Sequence, residues 1–265
     1  MIGAFAMVEQ SNPCHMTSGR LDQGDSGSQG RVMASQEPLS RSGMTTRAGI
    51  PNDVMTFWVR RGLVRPIYAP SGMGRHLRFE WYEANIAAVM SQLRQFGVPI
   101  DGLLSIAGTY RDAIAWASSY ELTRDDVAAL HSLVILHAHH KHGTCDDAEL
   151  DHMIGQFSRE KPHGKSRITD RIKAIHADMP EDEFRRHMDP FLSITEQPKP
   201  GDPGVGSAHT GELTYLWRTA AGDYRFAWGE KGPQLAQEDG AHAMIAVDVS
   251  AVLFEVWNRP EGEEE

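Results

Sequence analysis

The feature that most constrains the fold is a strongly amphipathic segment from Glu80 to Gly97, EWYEANIAAVMSQLRQFG. Its large apolar residues recur at a spacing that places them along one side of a helix. Gly97 is expected to end that helix, because glycine readily adopts the left-handed conformation of a helix terminus. The predicted apolar face consists of Trp81, Ile86, Val89, Met90 and Leu93.

A shorter helix is predicted just before it, in NDVMTFWVRRG. Pro51 fits the first turn, where a missing N–H costs nothing, and Gly62 fits the end. An apolar stripe at positions i, i+3 and i+4 is predicted to pack this helix on its domain through Val54, Phe57 and Trp58. The next segment, LVRPIYAPSGMGRHLRF, contains two prolines, two glycines and alternating residues, which predicts a β-hairpin or wing.

More helices are predicted downstream. Asp101 is placed to cap one of them, and Thr123 with Asp126 has the spacing of a capping box at the start of the next. The apolar residues of that next helix predict a helix–helix seam, formed by Val127, Leu130, Leu133 and Val134. Three shorter helices are expected at about 146–159, 166–178 and 180–192.

The period of the sequence changes to two near the C-terminus. After a Pro/Gly linker, ELTYLWR and DYRFAWG are separated by TAAG and predict a β-hairpin. The run AMIAVDVSAVLFEVW predicts a buried strand that continues into a last helix. The first 38 residues are rich in Ser, Gly and Gln without a period and predict disorder, while EGEEE predicts a solvated tail.

Composition gives the chain of 265 residues a net charge of −10, yet one segment is basic. From residue 40 to 100 there are eight arginines, no lysine and three acids, so this segment carries +5 and the rest −15. Arginine suits two-point contact with phosphate or guanine. The two cysteines have no motif spacing, no apolar run reaches the length of a membrane span, and no signal peptide is evident. We therefore expect a cytoplasmic protein.

The order of short helix, wing, long helix ending in glycine and second helix is that of a winged helix-turn-helix. Residues of about 40–105, roughly a quarter of the chain, resemble the DNA-binding domain of the MerR family of transcription regulators. That family typically shows adjacent aromatics, a charged pair, Gly-Leu and a wing containing arginine. The matching positions here are Gly49-Ile50, Phe57-Trp58, Arg60-Arg61, Gly62-Leu63, Arg75 to Phe79, and Gly97.

Together with the predicted elements, this resemblance indicates a mainly α protein with an N-terminal MerR-like winged helix-turn-helix, a helical middle region and a small C-terminal α+β part with a β-hairpin. It divides into a disordered segment (1–38), a MerR-like winged helix-turn-helix (39–105), a helical linker or dimerisation region (106–194), a Pro/Gly linker (195–211), a unit containing the β-hairpin (212–257) and an acidic tail (258–265). The implied function is sequence-specific regulation of transcription by a homodimer on a two-fold site in double-stranded DNA, with RNA polymerase as a further expected partner. No enzymatic activity and no cofactor are expected.

The helix preceding the wing and the wing itself would carry the DNA contacts. The predicted contact residues are Asn52, Thr56, Arg60, Arg61, Arg75, His76 and Arg78. Thr56 departs from the family, which usually has a basic residue at this position. Charge beside a helix C-terminus is also favoured by the helix dipole, so the two arginines of the pair have a purely structural alternative.

Two other functions stay open. The DNA-binding module could belong to a phage excisionase-like protein or a DNA-packaging adaptor. In a different class, the histidines and acids of region 131–152, including HAHHKHGTC, could form a metal-dependent enzyme, since His137 and His140 have the spacing of metal ligands on a helix. The favoured interpretation of that region is a helix end without a metal, since a single cysteine is too few for the thiolate sites of the family.

Overall fold

A computed structural model describes residues 37–67, 77–141, 181–195, 213–229 and 231–258. These residues form a mainly helical protein with two small antiparallel sheets. The helices are α1 (Arg41–Ala48), α2 (Asn52–Arg61), α3 (Trp81–Gln95), α4 (Ile100–Ser119), α5 (Arg124–Lys141), α6 (Glu181–Ile194), α7 (Gly232–Glu238) and α8 (Val249–Asn258). The strands are β1 (Leu39–Ser40), β2 (Arg78–Phe79), β3 (Thr214–Arg218), β4 (Tyr224–Trp228) and β5 (Met244–Val247).

Helix α3 is the centre of the core. All five residues of its predicted apolar face are buried, which confirms the amphipathic prediction. Its N-terminal half is buried on almost every side, because α1, α4, α6 and α8 all pack against it. Gly97 follows with a φ of 84°, the left-handed conformation expected after the helix end.

The N-terminal sheet joins residues that are far apart in the sequence. Strand β2 pairs antiparallel with β1, so that Leu39 lies opposite Phe79 and Ser40 opposite Arg78. The segment predicted as a hairpin or wing, residues 63–79, is described only at its two ends, where the Ile67 N–H donates to the Arg78 carbonyl at 2.8 Å. Residues 68–76 of this segment lie outside the described residues, as do segments 1–36, 142–180 and 196–212.

The C-terminal sheet has the strand order β4–β3–β5 and confirms the predicted hairpin. Strand β5 was expected to be buried, and this is wrong. It is an edge strand whose Met244 is 47% exposed, and only Val247 is buried. The run does continue into a helix, α8. Helix α7 was not predicted, because GPQLAQE is too short to show a helical period.

Of the two predicted helix N-caps, one is correct and one is wrong. The capping box of α5 is confirmed, because the Thr123 N–H donates to the Asp126 carboxylate at 2.8 Å and the Asp126 N–H donates to the Thr123 hydroxyl at 3.2 Å. Asp101 does not cap α4. Pro99 occupies the cap position and makes no side-chain hydrogen bond. Asp101 lies in the first turn, where the helix dipole stabilises its negative charge.

The predicted seam of α5 packs against the same chain. Val127, Leu130 and Val134 are buried in the hydrophobic core, and α5 contacts α6. Of the three short helices predicted after α5, the third is present as α6, and the first two lie outside the described residues. Among the described helices, none is both long and apolar enough to cross a membrane.

Candidate nucleic-acid interface

Helix α2 has a buried face and an exposed face. Met55 and Trp58, three positions apart, are buried in the core at 0% and 4% exposure. Gly62 ends the helix with a φ of 74°, and the backbone then returns so that the Leu63 N–H donates to the Trp58 carbonyl. Asn52, Asp53, Arg60 and Arg61 are all exposed. The helix therefore presents polar and basic groups outward while its back face is fixed.

The aromatic pair does not act as predicted. Trp58 is buried, but Phe57 is 46% exposed, and the expectation that it holds the helix to its domain is wrong. Met55 takes that place, because Met55 and Trp58 lie on one side of the helix and Phe57 on another. The Arg61 guanidinium lies 5.4 Å from the centre of the Phe57 ring, within the range of a cation–π contact. Phe57 thus supports the outward arginine.

A residue from α1 occupies the exposed face of α2. The Arg41 Nε donates to the Asn52 side-chain oxygen at 2.7 Å, and its Nη2 donates to the Asn52 carbonyl at 2.9 Å. The same Nη2 also donates to the Thr56 hydroxyl. Thr56 in turn donates its hydroxyl proton to the Asn52 carbonyl at 2.9 Å.

This network changes the surface expected from sequence. Thr56 itself is neutral, but the guanidinium of Arg41 is bound directly to its hydroxyl, so a positive charge lies at that position after all. Asn52, Thr56 and Arg60 follow one another at intervals of four along α2, on one helix face. Arg41 is one of the arginines of the basic segment, but nothing in the sequence indicates that its side chain contacts α2.

A buried ion pair fixes the chain where it leaves α2. The Arg111 guanidinium of α4 donates to both carboxylate oxygens of Glu83 in α3, at 2.6 and 2.7 Å. Glu83 is 3% exposed and Arg111 10%. Arg111 also donates to the Leu63 carbonyl at 2.6 Å, and the Arg65 N–H donates to Glu83 at 3.0 Å. We call these four residues the Glu83 clamp.

The clamp lies beside a tyrosine with an altered ionisation. Burial, reinforced by the negative charges of Glu80 and Glu83, raises the pKa of Tyr82 to about 12. Its phenol therefore stays neutral over the physiological range. Sequence reasoning missed the clamp, although a glutamate inside an otherwise apolar stretch of α3 is a signal that a buried partner is needed.

The predicted wing residues are only partly described. Arg78 is exposed on β2, and its Nη1 donates to the Pro38 carbonyl at 3.2 Å. Arg75 and His76 lie outside the described residues. The cross-strand pair Ser40–Arg78 places β2 next to the start of α1, from which Arg41 reaches α2.

The last helix of the structure packs against the N-terminal helices. The Trp257 indole N–H donates to the side-chain oxygen of Asn85 at 3.1 Å, and the Arg47 guanidinium of α1 lies 4.6 Å from the centre of the Trp257 ring. Asn85, which is fully buried, also donates to the Ile194 carbonyl at the end of α6. Residues 172 positions apart thus share one polar contact in the core.

Among the histidines of region 131–152, His131 has a described side-chain contact. His131 Nε2 lies 3.4 Å from the Asp189 carboxylate of α6, which is an ion pair when the imidazole is protonated. Among the described residues no group of three or more histidines, cysteines and acids has a metal-binding arrangement. The side chains of His137 and His140, and the whole of 142–152, lie outside the described residues.

In comparisons with known proteins, no family model matches the sequence, and no curated protein matches it.

Proposed function

We propose that this protein is a sequence-specific DNA-binding transcriptional regulator of MerR-like type. The observation that carries the proposal is helix α2, whose Met55 and Trp58 are buried while Asn52, Arg60 and Arg61 face outward. A helix that enters the major groove must have a rigid back face and a polar, basic front. In this proposal α2 is the recognition helix, and Arg78 of β2 contacts phosphate beside it.

Each residue of the exposed face has a role in the proposal. Arg60 and Arg61, at the C-terminal end of α2, bind phosphates, since neither has a carboxylate partner among the described ion pairs. Arg41 holds Asn52 in place and adds charge beside Thr56. The Glu83 clamp keeps the exit from α2 fixed, which lowers the entropy lost when the helix is placed in the groove.

The proposal includes a homodimer in the cytoplasm that binds a two-fold site, without enzymatic activity. Val127, Leu130 and Val134 are already buried against their own chain, so the dimer would use other surfaces. The acidic remainder of the chain would be repelled by DNA, which orients the basic segment toward the duplex. Contact with RNA polymerase is part of the proposed mechanism only if the regulator activates transcription.

Selection of bound sequences from random duplexes tests this function. We expect the full-length protein to enrich a preferred motif with two-fold symmetry, because a dimer presents two copies of α2. Enrichment of a motif without symmetry would support the excisionase-like or packaging-adaptor alternative. No enrichment over the starting library, with protein verified as folded, would contradict regulation by sequence-specific binding.

A substitution at Arg41 tests whether the α1–α2 network belongs to the interface. We expect Arg41→Ala to weaken DNA binding and to reduce the slope of log affinity against log salt by about 1, the value for one lost phosphate contact. Arg186→Ala is the matched control, because Arg186 is an exposed arginine of α6, outside the basic segment. Equal effects of the two variants, measured by fluorescence anisotropy over a salt series, would show that Arg41 acts only through net charge.

A further inference from the structure

A cavity of about 220 Å³ lies between the C-terminal end of α3 and the three-stranded sheet. Phe96, Gly97 and Val98 form one wall, and residues of all three strands form the other. Leu216 is 3% exposed in this lining, whereas Phe96 is 62% exposed. Large apolar side chains on both walls of one opening are a common property of small-molecule sites.

The lining is mainly apolar and carries one charge. Arg218, the last residue of β3, is the only charged residue among the side chains described around the cavity. Its Nε donates to the Gly222 carbonyl at 3.0 Å, and its guanidinium lies 6.0 Å from the centre of the Tyr224 ring. Within the described part of the chain, its two Nη groups make no hydrogen bond and face no carboxylate.

The backbone around Arg218 fixes its position. Gly222 has a φ of 94°, which favours glycine, and a side chain there would come within 3.3 Å of the arginine Nη2. Tyr224 is itself held against Gly102 of α4, where a side-chain carbon would lie 2.9 Å from the ring. The cation is therefore held at the end of the cavity by the turn and the tyrosine, with donors still available to a ligand.

We propose that this cavity binds a small aromatic carboxylate. A flat ring would lie between Phe96 on one wall and Leu216 with Ile245 on the other, where apolar side chains cover its faces. Its carboxylate would accept two parallel hydrogen bonds from the Nη groups of Arg218. The volume fits a ligand of one or two rings, smaller than the usual drug-sized occupant. The inference does not depend on DNA binding.

Calorimetric titration of the full-length protein, without DNA, tests the site with naphthalene-2-carboxylate and its neutral amide. We expect the carboxylate to bind about ten-fold more tightly than the amide, because charge-assisted hydrogen bonds are roughly twice as strong as neutral ones. Arg218→Gln should abolish that difference. Arg225→Gln is the matched control, because Arg225 lies on the adjacent strand and pairs with Asp239 outside the cavity.

A blocking variant separates the cavity from binding elsewhere. Ala243 is exposed and lines the opening, so Ala243→Trp should fill it without disturbing the core, and both compounds should lose binding. Equal affinity for carboxylate and amide in the wild type would overturn the ligand class. Absence of binding by both compounds, or binding unaffected by Ala243→Trp, would overturn the site.

Discussion

Glu83→Ala is expected to lower the free energy of unfolding by about 3–5 kcal/mol, the cost of removing one partner of a buried ion pair. The carboxylate neutralises Arg111, which is 10% exposed and also bonds the Leu63 carbonyl. Without Glu83 the guanidinium stays buried with one neutral acceptor, and the Arg65 N–H loses its acceptor too. Burial of an uncompensated charge is much more costly than loss of an exposed pair.

Urea unfolding of the purified protein measures this effect, with Arg225→Ala as the control. Arg225 pairs with Asp239 at 3.0 Å but is 63% exposed, so its loss should cost no more than about 1 kcal/mol. The double variant Glu83→Leu, Arg111→Met removes both charges and should recover most of the lost stability. If Glu83→Ala destabilises no more than the control, the clamp does not hold the fold. Glu83→Gln provides a milder variant if the alanine variant does not accumulate.

The parts of the fold that sequence predicts are those determined by nearby residues. The apolar spacing of α3, the capping box of Thr123 and Asp126, and the glycine that ends α2 each depend on positions a few residues apart. The hairpin of β3 and β4 also follows from local alternation and a short turn. Each of these features can be derived from periodicity and turn chemistry alone.

The parts that sequence does not predict depend on partners far along the chain. Glu83 and Arg111 are 28 positions apart, and Asn85 bonds residues 109 and 172 positions away. Nothing in the local pattern says which helix supplies each partner. The position of β5 at the sheet edge is of the same kind, since an apolar run alone does not distinguish a central strand from an exposed one.

In the candidate interface, helix α2 has features that the sequence predicts and features that it does not. The ends of α2 and the outward position of Arg60 and Arg61 agree with the sequence pattern. The predicted stripe of Val54, Phe57 and Trp58 wrongly places Phe57 in the core. Met55 is buried instead, because it is also apolar and lies on the same side of the helix as Trp58. Arg41 is invisible to the pattern of α2, since it belongs to another helix.

Loss of Arg60 and Arg61 should have the largest effect on DNA binding. We expect the double variant Arg60→Ala, Arg61→Ala to lower affinity on the order of 100-fold at low salt, because each phosphate contact by a charged donor contributes about 1.5 kcal/mol or more. The slope of log affinity against log salt should fall by about 1.8, as two fewer counterions are released. Both side chains are exposed, and neither belongs to the core, so folding should be unchanged.

The matched control removes the same charge from outside the basic segment, with Arg186→Ala and Arg225→Ala combined. Both of these arginines are exposed, and they lie on α6 and on β4. Net charge is then equal in the two double variants, so a difference in affinity isolates the position of the charge. Because Arg61 also lies over Phe57, Phe57→Ala should weaken binding less than loss of the arginine itself. If both double variants bind DNA with the same affinity and salt slope, the arginines of α2 are surface charge and the groove-binding role of this helix is wrong.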